Sequence, residues 1–401
     1  MNTFSLSHFP LEGKTVLVRV DYNVPSEKNR ITDGTKIEAT VPTLRFLLEK
    51  KCKVVLATHW GRPQGREEAW QVDPLAKYLK LFFPRTRILK LDDCLGKGIA
   101  EHIARARPGE LIFLENLRFY PEEEQNDFLF GHSLASLAQV YVNDAFGAAH
   151  RTAASIDAIT HFLPAIPGFL FEKEVRELGW ALHPQHPAVW IFGGAKLEKV
   201  QLLEQAWKRA DHLLVGGALA FSFLKAQGHS LGASQLDAHS VELAQKLLSR
   251  RDARKLILPR DVIVVERFAP RAPVRVVPVT DIPSGSMGLD IGPETVRLFE
   301  KLLQPARTIV WNGPLGYVEW SAFAQGTKSI ARFVTGLSAM SICGGGSTAQ
   351  ALHRFHLAEK FTHVSTGGGA ALAFLAGEQL PAVLALEKNY RRFKKMIRTG
   401  G

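Results

Sequence analysis

The sequence predicts an α/β protein of parallel sheets covered by helices on both faces, divided between two domains. Three observations lead there. Short β-branched runs alternate with amphipathic helical segments along the chain, the pattern of strands wound through crossover helices. The length of 401 residues exceeds what one hydrophobic core usually serves. Two stretches, MSICGGGSTAQAL (Met340 to Leu352) and HVSTGGGAALAFL (His363 to Leu375), each read apolar strand, three glycines, helix. At such a turn the first amides of the helix lack internal partners and meet the positive end of its dipole, so the pair reads as a phosphate cradle.

In chain order, the first half offers strands at KTVLVRV, KVVLATH, ELIFLEN and QVYVNDA, and the second at AVWIFGG, HLLVGGA, KLILPRDVIVV, RTIVWNG, MSICGGG and HVSTGGG. Helices fall between them at VPTLRFLLEKK and at KVQLLEQAWKRA, where Val200, Leu203 and Trp207 share a stripe. GFLFEKEVRELGWAL reads as a helix, and the HPQHP that follows cannot continue it, so the interdomain boundary is placed around Pro167 to Pro187.

Composition narrows the function classes. Hydrophobic content of 46% and charged content of 22% are ordinary for a globular chain, and no apolar run approaches a membrane span. The start MNTFSLSHFPLEGK lacks the layout of a signal peptide, and three cysteines without metal-type spacing fit a reducing cytosol. The net charge of +11 is compatible with a solvated surface, a nucleic acid, an acidic membrane or a small anionic substrate. No zinc-finger spacing, RNP pattern or basic region with heptads is present.

Ligands of open parallel sheets bind beyond the carboxyl ends of the strands. In the first half those ends carry Asp21 and Asn23, His59 and Arg62, Asn116 and Arg118, and His150 and Arg151, donors suited to a carboxylate and a phosphate. In the second half they carry Gly193 and Gly194 with Lys196, Gly216 and Gly217, Asn312-Gly313-Pro314 and the two glycine triplets, contacts suited to a polyphosphate. One half is built for a small anion and the other for a nucleotide. There is no GxxxxGK[ST], no HExxH and no nucleophile triad; Gly344-x-Gly346-x-x-Ala349 matches a loose dinucleotide fingerprint but lies near the C-terminus. A site of arginine, lysine and glycine without an obvious base suits phosphoryl transfer.

The segments VRVDYNVP, ITDGTKIEATVPT, THWGRPQG, LENLRFYPEEE, YVNDAFGAAHRTAAS, GFLFEKE, FGGAK, MGLDIGPET, TIVWNGPLG, GGGSTA and HVSTGGGAAL occur in this order, and on them the chain resembles the phosphoglycerate kinase family over nearly its whole length. The resemblance implies two Rossmann-like domains joined by a hinge that closes on the substrates. It implies a phosphoglycerate-binding domain at 1–170, an interdomain helix and hinge at 171–187, a nucleotide-binding domain at 188–375, and a segment at 376–401 that returns to the first domain and ends in a basic tail. It implies reversible transfer of a phosphoryl group between 1,3-bisphosphoglycerate and ADP, giving 3-phosphoglycerate and ATP, with Mg2+. The corresponding expectation is a cytoplasmic monomer with small-molecule partners and neither nucleic acid nor membrane.

Carried over by position, Asp21, Asn23, Lys36, His59, Arg62, Arg118 and Arg151 bind the phosphoglycerate. Gly193, Gly194, Lys196, Lys199, Gly216, Asn312, Pro314, Glu319, Gly345, Gly346, Ser347 and Thr348 bind the nucleotide, with Glu319 on the ribose. Lys36, Lys199, Gly346 and Gly368 stand at the transferring group. Three positions depart from the family pattern. Ser347 stands where Asp usually helps to hold magnesium, which predicts weaker metal binding or rescue by another acid such as Glu198. Lys36 replaces Arg and loses the bidentate fork. Lys196 and Lys199 are three apart instead of four, which turns one by roughly 100° relative to the other. These departures leave open a paralogue that binds without full turnover. The terminal EKNYRRFKKMIRTGG runs past the family's usual end and reads as a solvated basic helix or frayed tail.

Overall fold

The structure, a computed structural model, describes residues 1–194 and 200–398; Lys196, Glu198 and Lys199, and with them the lysine spacing, lie outside the described residues. The chain divides into two compact units, Met1–Val175 with Gln379–Gly401, and Arg176–Glu378.

The first unit is built on six parallel strands: β1 (Thr15–Val20), β2 (Lys53–Thr58), β3 (Ile88–Lys90), β4 (Leu111–Phe113), β5 (Val140–Asp144) and β6 (Ala165–Pro167), in the spatial order β3-β4-β2-β1-β5-β6. β1 and β5 are buried on both faces, which is why their apolar residues run on without alternation, interrupted only by Arg19 in β1 and by Asn143 and Asp144 at the end of β5. Helix α1 (Thr35–Glu49) begins well before the predicted VPTLRFLLEKK. A proline disfavours helix at the residue before it, so Pro42 obscures the first turns of α1 in the sequence. Pro42 removes only one backbone bond here, and Ile37, Thr40, Val41, Leu44 and Leu47 bury an inward face that holds the helix across it. Helix α2 (Phe128–Ala135) is capped by Asp127, whose Oδ1 accepts the Phe130 amide at 2.7 Å. Strands β3 and β6, three residues each, were not predicted, and neither was the short hairpin of Ser26–Glu27 with Arg30–Ile31.

Helix α3 (Phe169–Leu182) carries the chain into the second unit, and the division falls inside it. That unit holds β7 (Ala188–Phe192), β8 (His212–Val215), α4 (Gly217–Ala226), β9 (Leu256–Ile257), β10 (Asp261–Val265), β11 (Arg275–Pro278), β12 (Met287–Ile291), β13 (Thr308–Asn312), β14 (Met340–Gly344), α5 (Gly346–Arg354), β15 (His363–Val364) and α6 (Gly369–Leu375). Six strands form a second parallel sheet, ordered β9-β8-β7-β13-β14-β15. The segment KLILPRDVIVV, predicted as one strand, is two: Pro259 has no amide to give a ladder, β9 ends before it, and β10 joins a separate antiparallel sheet between β11 and β12. In the helix Val200–Arg209, Leu203 and Trp207 are buried as their spacing predicts; the Val200 side chain lies outside the described residues.

The last helix, α7 (Pro381–Arg398), belongs to the first unit, and it corrects the reading of 387–401 as solvated only at Asn389 and Phe393, which are buried. Ala382, Ala385, Leu386, Asn389 and Phe393 are buried at helical spacing against the first unit. Asn389 donates Nδ2 to the carbonyls of Thr160 (2.6 Å) and Leu163 (2.9 Å) and accepts the Ala165 amide (2.8 Å).

Candidate active site

Because every strand of the first sheet points the same way, the residues that follow β1, β2, β4 and β5 share one edge. Asp21, after β1, lies 2.8 Å from Lys36 Nζ in the first turn of α1. Its other oxygen accepts the Asn23 amide at 3.1 Å and sits 3.8 Å from His59 Nε2. Burial alone would raise this carboxyl, but Lys36, then His59, outweigh it and hold Asp21 well below the usual carboxylate range. A Cβ on Gly147 would come within 2.1 Å of Asp21 Oδ2, so the ion pair is packed directly against glycine backbone.

His59 is depressed far below its ordinary value, first by burial and then by Arg19, Arg118 and Lys36, against the pull of Asp21. Arg19 Nη2 lies 3.0 Å from His59 Nδ1; a guanidinium only donates, so Nδ1 accepts and the ring proton sits on Nε2, facing Asp21. Arg19 also donates Nε to Ser155 Oγ (2.7 Å) and Nη1 to the Val20 carbonyl, and it lies 3.7 Å from Glu123. Glu123 in turn accepts the Ser155 amide (2.9 Å) and hydroxyl (2.5 Å). A cavity of about 330 Å³ is bounded by Arg19, His59, Arg118, His150 and Arg151, with Glu123 and Glu124. Arg118 is braced by Glu124 at 3.1 Å and by the Gly61 carbonyl; burial first, then Arg151, Arg19 and Arg62, depress it. Arg62 and Asn23 are exposed, Asn23 Oδ1 accepting the Gly61 amide at 3.0 Å. Asn116 is buried and used internally, donating to the Trp60 (2.8 Å) and Trp70 (3.0 Å) carbonyls.

In the second unit the two glycine triplets do meet. Gly345, Gly346, Gly368 and Gly369 line one cavity of about 350 Å³ with Gly193, Gly194, Asn312, Gly313, Pro314, Ser347 and Thr348. Gly345 (φ 100°) and Gly368 (φ 49°) cap α5 and α6 in a backbone region that a side chain resists, which is what turns strand into helix here. Thr348 Oγ1 accepts the Gly313 amide at 2.8 Å, tying α5 to the β13 turn. Gly367 is spent on Ser365, whose Oγ its amide reaches at 3.1 Å, and Gly216 on the Phe192 carbonyl at 2.8 Å. Gly194, Pro314 and Ser347 also border a second cavity of about 550 Å³, whose wall is apolar: Phe221, Val262, Phe268, Leu289 and Leu315, with Glu319 exposed at its margin. An amide cradle opening onto an apolar slot suits a polyphosphate with a flat ring attached.

The family model for phosphoglycerate kinase matches residues 6–378. The chain belongs to the phosphoglycerate kinase family. Relatives include phosphoglycerate kinases of Moorella thermoacetica, 47% identical over 391 residues (96% of this chain and 99% of that one), and of Pelotomaculum thermopropionicum, 46% identical over 381 residues (94% and 97%). Among solved structures, the phosphoglycerate kinase of Coxiella burnetii superposes with a TM-score of 0.86 at 35% identity (96% and 99% covered), and that of Pyrococcus horikoshii with 0.87 at 31% (97% and 100%).

For a phosphoglycerate kinase the question of Mg2+ turns on the donors present. The only side-chain oxygens lining the glycine cavity among the described residues are those of Asn312, Ser347 and Thr348, all neutral. The described residues hold no cluster of His, Cys, Asp and Glu that could bind a metal. Mg2+ in nucleotide sites is usually held by one or two carboxylates together with substrate phosphates. This donor set therefore does not fit a metal held by protein alone.

Two features escaped the sequence reading. Arg19, Glu123 and Ser155 form the buried support beneath His59; its one visible signal is a charge inside the otherwise apolar strand TVLVRV. The apolar slot gave no signal, since its lining is drawn from separated segments between Gly194 and Ser347.

At the end of β5, Asp144 is fully buried. Burial pushes its carboxyl up to about 7, against the pull of Thr43 and the Phe171 and Leu170 amides, and its Oδ2 has no hydrogen-bond partner. The folded value exceeds the unfolded one, so the stability tied to the protonated form is complete below about pH 4 and is lost as pH rises through 7. Asp144→Asn is expected to gain on the parent from pH 4 to 7 and then level off, by at most about 4 kcal/mol at ~1.36 kcal/mol per pKa unit. Denaturant unfolding at pH 5 and pH 8 measures this, and an equal difference at both would contradict it.

Proposed function

We propose that this chain catalyses the reversible transfer of the acyl phosphate of 1,3-bisphosphoglycerate to ADP, giving 3-phosphoglycerate and ATP. The observation that carries the reading is the division of chemistry: a cationic cavity at the strand ends of one unit, and a glycine-amide cradle with an apolar slot in the other. A β-phosphate oxygen of ADP attacks the phosphorus of the acyl phosphate, and a carboxylate leaves. Neither partner needs a proton moved, which agrees with a site whose histidine is neutral and whose aspartate is a permanent anion. Asp21, Asn23, His59, Arg62, Arg118 and Arg151 hold the phosphoglycerate, and Lys36 stabilises charge at the transferring group. Gly193, Gly194, Asn312, Pro314, Gly345, Gly346, Ser347 and Thr348 serve the phosphates, Gly368 the transferring group, and Glu319 the ribose. Lys196 and Lys199 keep the phosphate-neutralising role that the resemblance implies. A monomer acting on small molecules is the accompanying reading; no described helix is long and apolar enough to cross a membrane.

Mg2+ enters with the nucleotide, as part of the substrate, and Ser347 offers it a hydroxyl and no charge. Purified protein is expected to form ATP from 1,3-bisphosphoglycerate and ADP, with a half-saturating Mg2+ that falls several-fold in Ser347→Asp while the maximal rate changes little. Identical magnesium curves for the two proteins would remove Ser347 from the metal. No turnover in either, with nucleotide still bound, would favour the non-catalytic paralogue, a reading that the relatives above do not support.

A further inference from the structure

We propose that the outward face of α7, together with the exposed start of α2, is a docking surface for an anionic lipid bilayer. The family match ends at residue 378, so α7 lies wholly beyond it. The helix is nonetheless fixed: Asn389 satisfies three backbone groups of the 160–165 segment, Phe4 packs edge-on against Tyr390 at 5.0 Å, and Glu387 takes the Asn2 amide at 3.1 Å. What it presents outward is Lys388, Arg391, Arg392 and Lys395, spaced i, i+3, i+4, i+7. At 3.6 residues per turn this stripe is centred roughly 130° from the buried one, and all four residues are exposed. Lys388, Arg391 and Arg392 make no ion pair among the described residues.

Neighbouring cations on one helix face repel, and an anionic surface relieves that repulsion. Exposed apolar surface lies on a second helix packed on the same turn as α7. α2 and α7 both pack on the turn Ala158–His161, and α2 opens with Phe128 (53% exposed) and Leu129 (74% exposed). The acids near that end are engaged internally, Asp127 with the Phe130 amide and Asp157 with Asn126 Nδ2 at 2.9 Å. A basic helical face flanked by exposed apolar side chains is the make-up of an interfacial membrane contact. Lipid is favoured over single-stranded nucleic acid because the Phe128 ring is already packed on Phe162 (4.6 Å) and His161 (5.6 Å), and Leu129 has no face for a base to stack on.

The test sediments the full-length protein with vesicles of phosphatidylcholine, with or without phosphatidylglycerol. Binding is expected only to the anionic vesicles and is expected to weaken with salt. Each Lys or Arg at such a surface contributes roughly fivefold, so the triple variant Lys388→Ala, Arg391→Ala, Arg392→Ala should bind roughly 100-fold more weakly. Leu129→Ser should weaken binding several-fold with its salt dependence unchanged. Catalytic activity, whose residues lie elsewhere, reports that both variants are folded. Three results would each overturn the proposal: no binding to anionic vesicles at low salt, binding indifferent to the triple variant, or binding to single-stranded RNA but not to vesicles.

Discussion

Replacing Arg19 by Met is expected to destabilise the first unit by about 3–5 kcal/mol, the range for removing one partner of a buried charge pair. At roughly 2–4 °C per kcal/mol for a unit of this size, its melting transition should fall by about 10 °C. The reason lies in what remains. Glu123 is 2% exposed and accepts two hydrogen bonds from Ser155, but its nearest positive charge is Arg19, itself 2% exposed. Without the guanidinium the carboxylate is a bare buried anion, and Ser155 Oγ and His59 Nδ1 lose a donor. Adding Glu123→Gln removes the stranded charge, so the double variant should recover a good part of the loss. Calorimetry on the parent, the two single variants and the double variant completes the cycle. A loss below about 1 kcal/mol in Arg19→Met, against the expected range, would mean that the Arg19–Glu123 pair contributes little to the stability of the first unit.

That network also marks how far the sequence could be read. Strand positions were legible because TVLVRV, KVVLAT and VYVND are buried on both faces and leave no other reading for such runs. The gathering of Asp21, His59, Arg118 and Arg151 at one edge followed from them, since parallel strands deliver all their carboxyl ends to that edge. Arg19 was not legible as a site residue: its meaning depends on Glu123 and on Ser155, 136 positions away, and neither stands out locally. Short edge strands such as Ile88–Lys90 carry too few residues to show a period. In the tail from Glu387 the density of lysine and arginine masked Asn389 and Phe393, which are buried at helical spacing with Ala382, Ala385 and Leu386. The apolar slot of the second unit was out of reach for the same reason as Arg19, because a wall assembled from distant segments has no local signature.

Lys36→Met is expected to lower kcat by about 10²–10³-fold, the usual cost of deleting one preorganised charge-stabilising donor. Two separate devices fix Lys36 beside Asp21. The first turn of α1 brings Nζ to 2.8 Å from Asp21, and Gly147, which has no Cβ to collide with Asp21 Oδ2, lets the ion pair sit against backbone. Asp21 in turn is held ionised by Lys36 and His59, so it returns an orienting charge to both. If Lys36 only braced Asp21, Met would raise KM while kcat stayed near that of the parent, and stability would change little, because the Lys36 side chain is 31% exposed. If it acts on charge that develops during transfer, kcat falls and KM moves less. Lys36→Arg separates the cases further: a guanidinium keeps the charge and adds a planar fork suited to phosphate. Charge stabilisation predicts that Arg retains most of the parent's turnover or exceeds it. An Arg variant as impaired as Met would show that the ammonium's compact shape matters, and that the fork cannot be seated beside Gly147.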